Sequence, residues 1–158
     1  MQEYIVASFL SKPRNKTFKK SAWPLHVTIL GIFKSDLSQY DIEIVLEKIC
    51  KKTKPLILQG ETRSIFGIDN NIPVTELQHK DALHELHSDL LATLEESIHL
   101  RTPQFTAQNY RPHVTDQSHT EMVKRGETIS IRTLSLVQLE GELRHILSTF
   151  TMSLNFLY

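Results

Sequence analysis

The tripeptide His-Val-Thr occurs twice in this chain, at His26-Val27-Thr28 and at His113-Val114-Thr115. On a β-strand, residues i and i+2 share a face, so each copy would present an imidazole beside a hydroxyl. Two such strands at one cleft would gather two proton-transfer groups and two hydrogen-bond donors around a small anion. That set suits phosphodiester cleavage without a metal. A neutral imidazole can take a proton from water or a hydroxyl, and a protonated one can give a proton to the leaving oxygen. Histidine serves both roles because its ordinary pKa lies near neutrality. The threonine hydroxyls can donate to the non-bridging phosphoryl oxygens, where negative charge must be stabilised.

With eight His and fourteen Thr in 158 residues, about 0.7 H-x-T matches are expected by chance. Requiring valine between them lowers this to about 0.03. A single copy would fit a histidine on a sheet surface with a threonine chosen for β-propensity; a matched pair does not. Trp23 and Tyr110 each stand three residues before the histidine, and Pro24 and Pro112 lie between. Each half runs aromatic, proline, His-Val-Thr, helix, strand, strand. The whole chain, 1–158, is therefore read as one domain with an internal duplication, its motifs at about 26–30 and 113–116.

Neighbouring residues extend the site. Arg111 could pair with phosphate through its guanidinium fork, or form a surface ion pair. Trp23, Tyr110 and Phe105 could stack on a base, although Trp23 and Tyr110 also suit packing at strand entrances. Lys12 to Lys20 carries five basic residues and no acid, which suits either a solvated loop or a basic flap over a phosphate-bearing ligand. His84 and His87, with His79 nearby, could share a metal. No cysteine or carboxylate cluster completes such a set, so neither metal nor cofactor is expected.

These groups must be positioned by a mixed set of elements. Residues 4–10 read as a buried strand and 26–33 as a second. Residues 38–53 form the clearest helix: Ser38 and Asp41 make a capping box, and Ile42, Val45, Leu46, Ile49 and Cys50 line one face. Residues 56–68 and 72–77 read as strands around a turn, and 80–98 as a helix. Ser118, Glu121 and Gly126 suggest a short helix over 119–125. Residues 128–139 read as a strand with a bulge between Ile131 and Leu134. In the last strand Ile146, Phe150, Met152, Leu154 and Phe156 alternate with polar residues. The class is α+β with largely antiparallel sheets, about seven strands and three helices.

Eighteen basic and eighteen acidic residues cancel, so any anionic partner must be met by a local patch. Cys50 is the only cysteine, which excludes an intrachain disulfide and favours a reducing compartment. The start has no signal-peptide pattern, and no apolar stretch is long enough for a membrane span. A cytoplasmic monomer without membrane partners is expected.

HVTIL at 26–30 and PHVTD at 112–116 resemble the two H-x-T-x signatures of the 2H phosphoesterase superfamily. That superfamily includes RNA 2′,3′-cyclic phosphodiesterases, also called 2′-5′ RNA ligases, and 2′-5′ oligoadenylate phosphodiesterases. The opening strand, the 87-residue separation of the histidines and the final strand pair agree with its layout. The resemblance implies two pseudo-symmetric lobes with the motifs facing across a central cleft. It makes His26 and His113 the acid and base, in either order, and Thr28 and Thr115 the phosphate-binding residues. It implies a phosphodiesterase acting on 2′,3′-cyclic phosphate or 2′-5′ linkages of RNA ends or nucleotides. The alternative is a module that binds a nucleotide or phosphorylated ligand without turnover. One position departs from the signature. Asp116 stands where a hydrophobic residue is usual, and by alternation it points away from the cleft. It must be paired, exposed at a strand end, or the sign of a distorted second site.

Overall fold

The computed structural model describes residues 1–78 and 81–154; His79, Asn155 and Phe156 lie outside them. Ten strands are described: β1 (Gln2–Phe9), β2 (Thr17–Lys19), β3 (His26–Ser35), β4 (Leu56–Phe66), β5 (Ile72–Leu77), β6 (Ile98–Leu100), β7 (His113–Thr115), β8 (Thr128–Ile131), β9 (Thr133–Glu140) and β10 (Leu143–Thr151). Two α-helices, α1 (Gln39–Lys51) and α2 (Asp81–Leu94), accompany them. The sheet order is β2-β10-β9-β1-β3-β7-β5-β4-β8, with β6 added beside β3, and the pairings are antiparallel. The α+β class holds.

Both helices start and pack as their sequences dictate. The Ser38 hydroxyl accepts the Asp41 backbone N–H at 3.1 Å and caps α1. Ile42, Leu46 and Ile49 of α1 join Leu83, Leu86, Leu90 and Leu94 of α2 in one buried cluster with Val27, Val114 and Leu136 of the sheet. One face of the sheet is thereby covered, and the other is left as a concave surface. Cys50 belongs to this core, and burial pushes its thiol up to about 11, so it stays protonated and unreactive at neutral pH.

Four sequence expectations change. The helix read over 80–98 ends at Leu94, and Ile98 opens β6. Residues 128–139 are two strands, not one bulged strand. β8 pairs with β4 at one end of the sheet, whereas β9 pairs with β1 and β10 near the other. Arg132 alone joins them, so the sheet must curl into a half-barrel, and the apolar phase shift marks a change of partner. β10 is bulged between Ile146 and Ser148. Ile146 therefore packs with Ile5, Phe9 and Val137 on the concave face, whereas Phe150 packs on the helix side. Residues 119–125 form no helix. Ser118 does accept the Glu121 N–H at 3.0 Å, and Gly126 takes φ +84°. Both cap signals are real, but they end turns that tie back to β4 through a Gly126 N–H to Gly60 C=O bond of 2.8 Å.

Candidate active site

The two tripeptides meet at the centre of the sheet. β3 and β7 are adjacent antiparallel strands, with Val27 opposite Val114. Both valines are fully buried on the helix side. The alternation of strand side chains therefore sends His26, Thr28, His113 and Thr115 to the concave face. About that central pair, His26 lies across from Thr115 and Thr28 across from His113. The two histidines are diagonal neighbours, a relation that spans about 7–8 Å in a regular ladder. Four functional groups thus surround one point on the open face.

The two imidazoles are held in the same way. His26 Nδ1 lies 2.8 Å from the carbonyl of Pro24, and His113 Nδ1 lies 2.7 Å from the carbonyl of Arg111. A carbonyl can only accept, so both Nδ1 atoms carry the proton and both Nε2 atoms are left for the cleft. Each bond reaches back two residues, which is why the proline-flanked entrance precedes each tripeptide.

Their surroundings differ. His26 packs against Trp23, with ring centroids 4.5 Å apart, and against Phe9 at 5.9 Å. Burial is the main force lowering its pKa, to about 4; the Pro24 carbonyl opposes this and the nearby His113 adds to it. Burial also lowers His113; the Arg111 carbonyl and the charge of Glu76 pull the other way, and the Arg111 charge adds to the lowering. Glu76 stands opposite His113 on β5. It accepts from Arg111 Nη2 at 2.9 Å and from the Ser64 hydroxyl at 2.7 Å. Arg111 also lies 4.4 Å above the Phe66 ring, which itself packs edge-on to His113 at 4.8 Å.

The remaining sequence candidates are distributed around this centre. Trp23 is half-buried in an aromatic cluster with Phe9 and Phe18, and braces His26. Tyr110 is 8% exposed and donates from its hydroxyl to the Thr28 carbonyl at 2.7 Å. It braces the first motif from the second, and His87 stacks on its ring. Phe105 is exposed on the rim of a cavity of about 730 Å³ that contains Thr28 and His113, opposite Ile65, Phe66 and Ile68.

His87 has a role that its spacing did not suggest. Its Nδ1 lies 2.7 Å from the Ile29 carbonyl, and its Nε2 accepts the Ala107 N–H at 2.9 Å. Its ring stacks on Tyr110, with centroids 4.2 Å apart and planes 9° from parallel. Both nitrogens are occupied, so His87 ties α2, the bulge of β3 and the 101–112 segment together. His84 packs edge-on to Tyr110. Among the described residues, no group of three or more His, Cys, Asp or Glu is placed to hold a metal.

Asp116 is paired. Arg63 donates to its two carboxylate oxygens at 2.6 Å each, and also to the Thr75 hydroxyl at 2.9 Å. Asp116 follows Thr115 on the opposite face, so this pair supports β7 from behind. The Asp116 side chain is 9% exposed and that of Arg63 38%. Arg63→Ala should therefore cost about 2 kcal/mol of stability, because it strands a nearly buried carboxylate, and Asp116→Asn should cost less. Urea unfolding of both variants checks this; equal and negligible losses would mean that solvent already screens the pair.

A curled antiparallel sheet, two helices on one face and two His-Val-Thr strands meeting on the other make the architecture of the LigT-like 2H phosphoesterases. A family model described as the 2′-5′ RNA ligase superfamily matches residues 6–125, and the chain belongs to that superfamily. Phosphodiesterase-type chemistry is the general activity of this class. Among solved structures, TT0787 of Thermus thermophilus superposes with a TM-score of 0.62 at 15% identity, covering 96% of this chain and 98% of that one. A structure described as a phosphoesterase gives 0.61 at 13% identity, covering 97% and 99%. E. coli LigT in its apo form gives 0.61 at 12% identity, covering 97% and 98%. These likenesses show the fold. No curated protein matches the sequence. Among the described residues, no helix is long and apolar enough to cross a membrane.

Proposed function

We propose that this protein is a metal-independent phosphodiesterase acting on 2′,3′-cyclic phosphate or 2′-5′ linkages of RNA ends or nucleotides, with His26 and His113 as general base and acid. The observation that carries the reading is the matched pair of imidazoles, each fixed through Nδ1 to a carbonyl two residues upstream, with both Nε2 atoms free on one face. Thr28 and Thr115 stand beside them to hold the non-bridging oxygens. The unequal surroundings also divide the roles. His26 packs on Trp23 and Phe9 with no carboxylate beside it, and burial holds its pKa down to about 4, which suits the base. His113 faces Glu76, which favours its protonated form and suits the acid. The cavity between Phe105 and the Ile65–Ile68 segment takes the base of the nucleotide, with Phe105 as its stacking platform. Arg111 positions His113 through Glu76 and reaches phosphate only by leaving that pair. LigT has been captured with phosphate, 3′-AMP and ATP, ligands of the chemistry this site would take. The reading also carries the internal duplication, a monomer and a cytoplasmic setting. The pairing of Asp116 with Arg63 behind β7 supports the catalytic reading over the non-catalytic binding module.

The test is hydrolysis of a nucleoside 2′,3′-cyclic phosphate in EDTA across pH. One imidazole must be neutral and the other charged, so kcat/KM should be bell-shaped. Both histidines lie below the ordinary value of 6.5 in the free protein, so the maximum should fall on the acid side of 6.5. Glu76→Gln removes a charge that favours His113 protonation and should move the alkaline limb to lower pH. A pH-independent rate, or one abolished by EDTA, would sink the mechanism.

A further inference from the structure

A second cavity, of about 650 Å³, lies over β1, β9 and β10, next to the strand that carries His26. Phe9 separates the two: it lines this cavity and packs its ring 5.9 Å from the His26 ring. The walls come from the basic segment after β1 and from the β8–β9 crossover, 116 residues later. They bring Lys12, Lys16 and Arg132 together with the hydroxyls of Ser130 and Thr133. None of these three cations makes an ion pair among the described residues. No Asp or Glu lines this cavity, and Glu121 and Glu127 line the adjoining concavity that Lys12, Arg14 and Arg132 also face. In a chain with no net charge, three unpaired cations around one concavity are a local excess that needs an anion. The segment is also anchored: the Lys16 carbonyl accepts the Ile146 N–H at 2.7 Å, and the Arg132 carbonyl accepts the Met152 N–H at 2.8 Å. The backbone that carries Lys16 and Arg132 is therefore tied to β10 and the residue that follows it.

We infer that this cavity is a second phosphate subsite, built by Lys12, Lys16 and Arg132, that holds an internucleotide phosphodiester of an oligonucleotide whose reacting phosphate lies between His26 and His113. The inference rests on the proposed phosphodiesterase activity and narrows its substrate: an RNA end with at least one further phosphate is preferred to a mononucleotide. In the sheet order the basic cavity falls mainly on β10, β9 and β1 and the apolar one on β3, β7 and β4, so a strand reaching both would pass the histidines.

The experiment compares a nucleoside 2′,3′-cyclic phosphate with a trinucleotide bearing a terminal 2′,3′-cyclic phosphate, in wild type and in the Lys16→Gln/Arg132→Gln double variant. The wild type should show a lower KM for the trinucleotide. The double variant should raise that KM about tenfold or more, leaving kcat and mononucleotide hydrolysis unchanged. A trinucleotide whose internal linkages are uncharged methylphosphonates should gain nothing, which separates phosphate recognition from base recognition. The log K versus log salt slope of trinucleotide binding should also become shallower in the double variant, by about 0.7 for the one phosphate released. Equal KM values for both substrates in wild type, or equal effects of the double variant on both, would overturn the inference. If neither substrate is hydrolysed, the proposed activity fails separately. Fluorescence anisotropy with a labelled trinucleotide then decides the subsite: binding weakened by the double variant supports it, and unchanged binding removes it.

Discussion

His26→Ala and His113→Ala should each lower kcat/KM for a nucleoside 2′,3′-cyclic phosphate by about 10²–10⁴-fold, the range for removing one positioned proton-transfer group. The two losses should not add, because base and acid act in one transition state and either absence forfeits the concerted transfer. The double variant should therefore sit close to the worse single. Folding should survive, since both imidazoles face the concave side and the fully buried valines between the tripeptide residues carry the packing. His26→Ala also leaves Phe9 and Trp23 in place around a gap. Thr28→Val and Thr115→Val should be milder. Each removes one donor to a phosphoryl oxygen and keeps the β-branched shape. Steady-state rates of purified variants, with circular dichroism to check folding, test this. Activity surviving both histidine substitutions would end the assignment.

The grouping of each candidate imidazole with its hydroxyl was legible in the sequence because strand alternation is local. His and Thr at i and i+2 must share a face wherever the strand lies, and that alone places each imidazole beside its hydroxyl. The stripe on α1 was legible for the same reason. What lay hidden depends on partners distant in sequence. Asp116 looked like a possible defect because Arg63, its partner, is 53 residues away on β4. Glu76 carried no signal until β5 paired with β7 and set it opposite His113. Tyr110 looked equally suited to stacking and packing, and its hydroxyl bond to the Thr28 carbonyl puts it in the core. The apolar phase shift before β9 was visible, but periodicity cannot distinguish a bulge from a change of sheet partner. His87 resembled a metal ligand by spacing, although the bulged carbonyl of Ile29 and the Ala107 amide already occupy its two nitrogens.

Acidification should unfold this protein through the same groups that serve the site. His26 is held neutral in the folded state, with its pKa near 4 against an ordinary 6.5. Below 6.5 the unfolded chain takes up a proton that the folded chain refuses, so stability falls as pH drops from 6.5 towards 4. For His26 alone the loss is about 3 kcal/mol at the bottom of that window. His87 and His113 are also lowered by burial and push in the same direction. His26→Gln cannot titrate, so its urea midpoint should decline less steeply between pH 7 and 4.5 than that of wild type. Identical slopes would mean that His26 is not held neutral in solution. An anion bound between the imidazoles reverses the sign, since its charge favours the protonated rings. Phosphate should therefore stabilise the wild type increasingly as pH falls through this window. The free site resists protonation and a bound anion favours it, whereas turnover in the proposed roles needs His113 charged and His26 neutral.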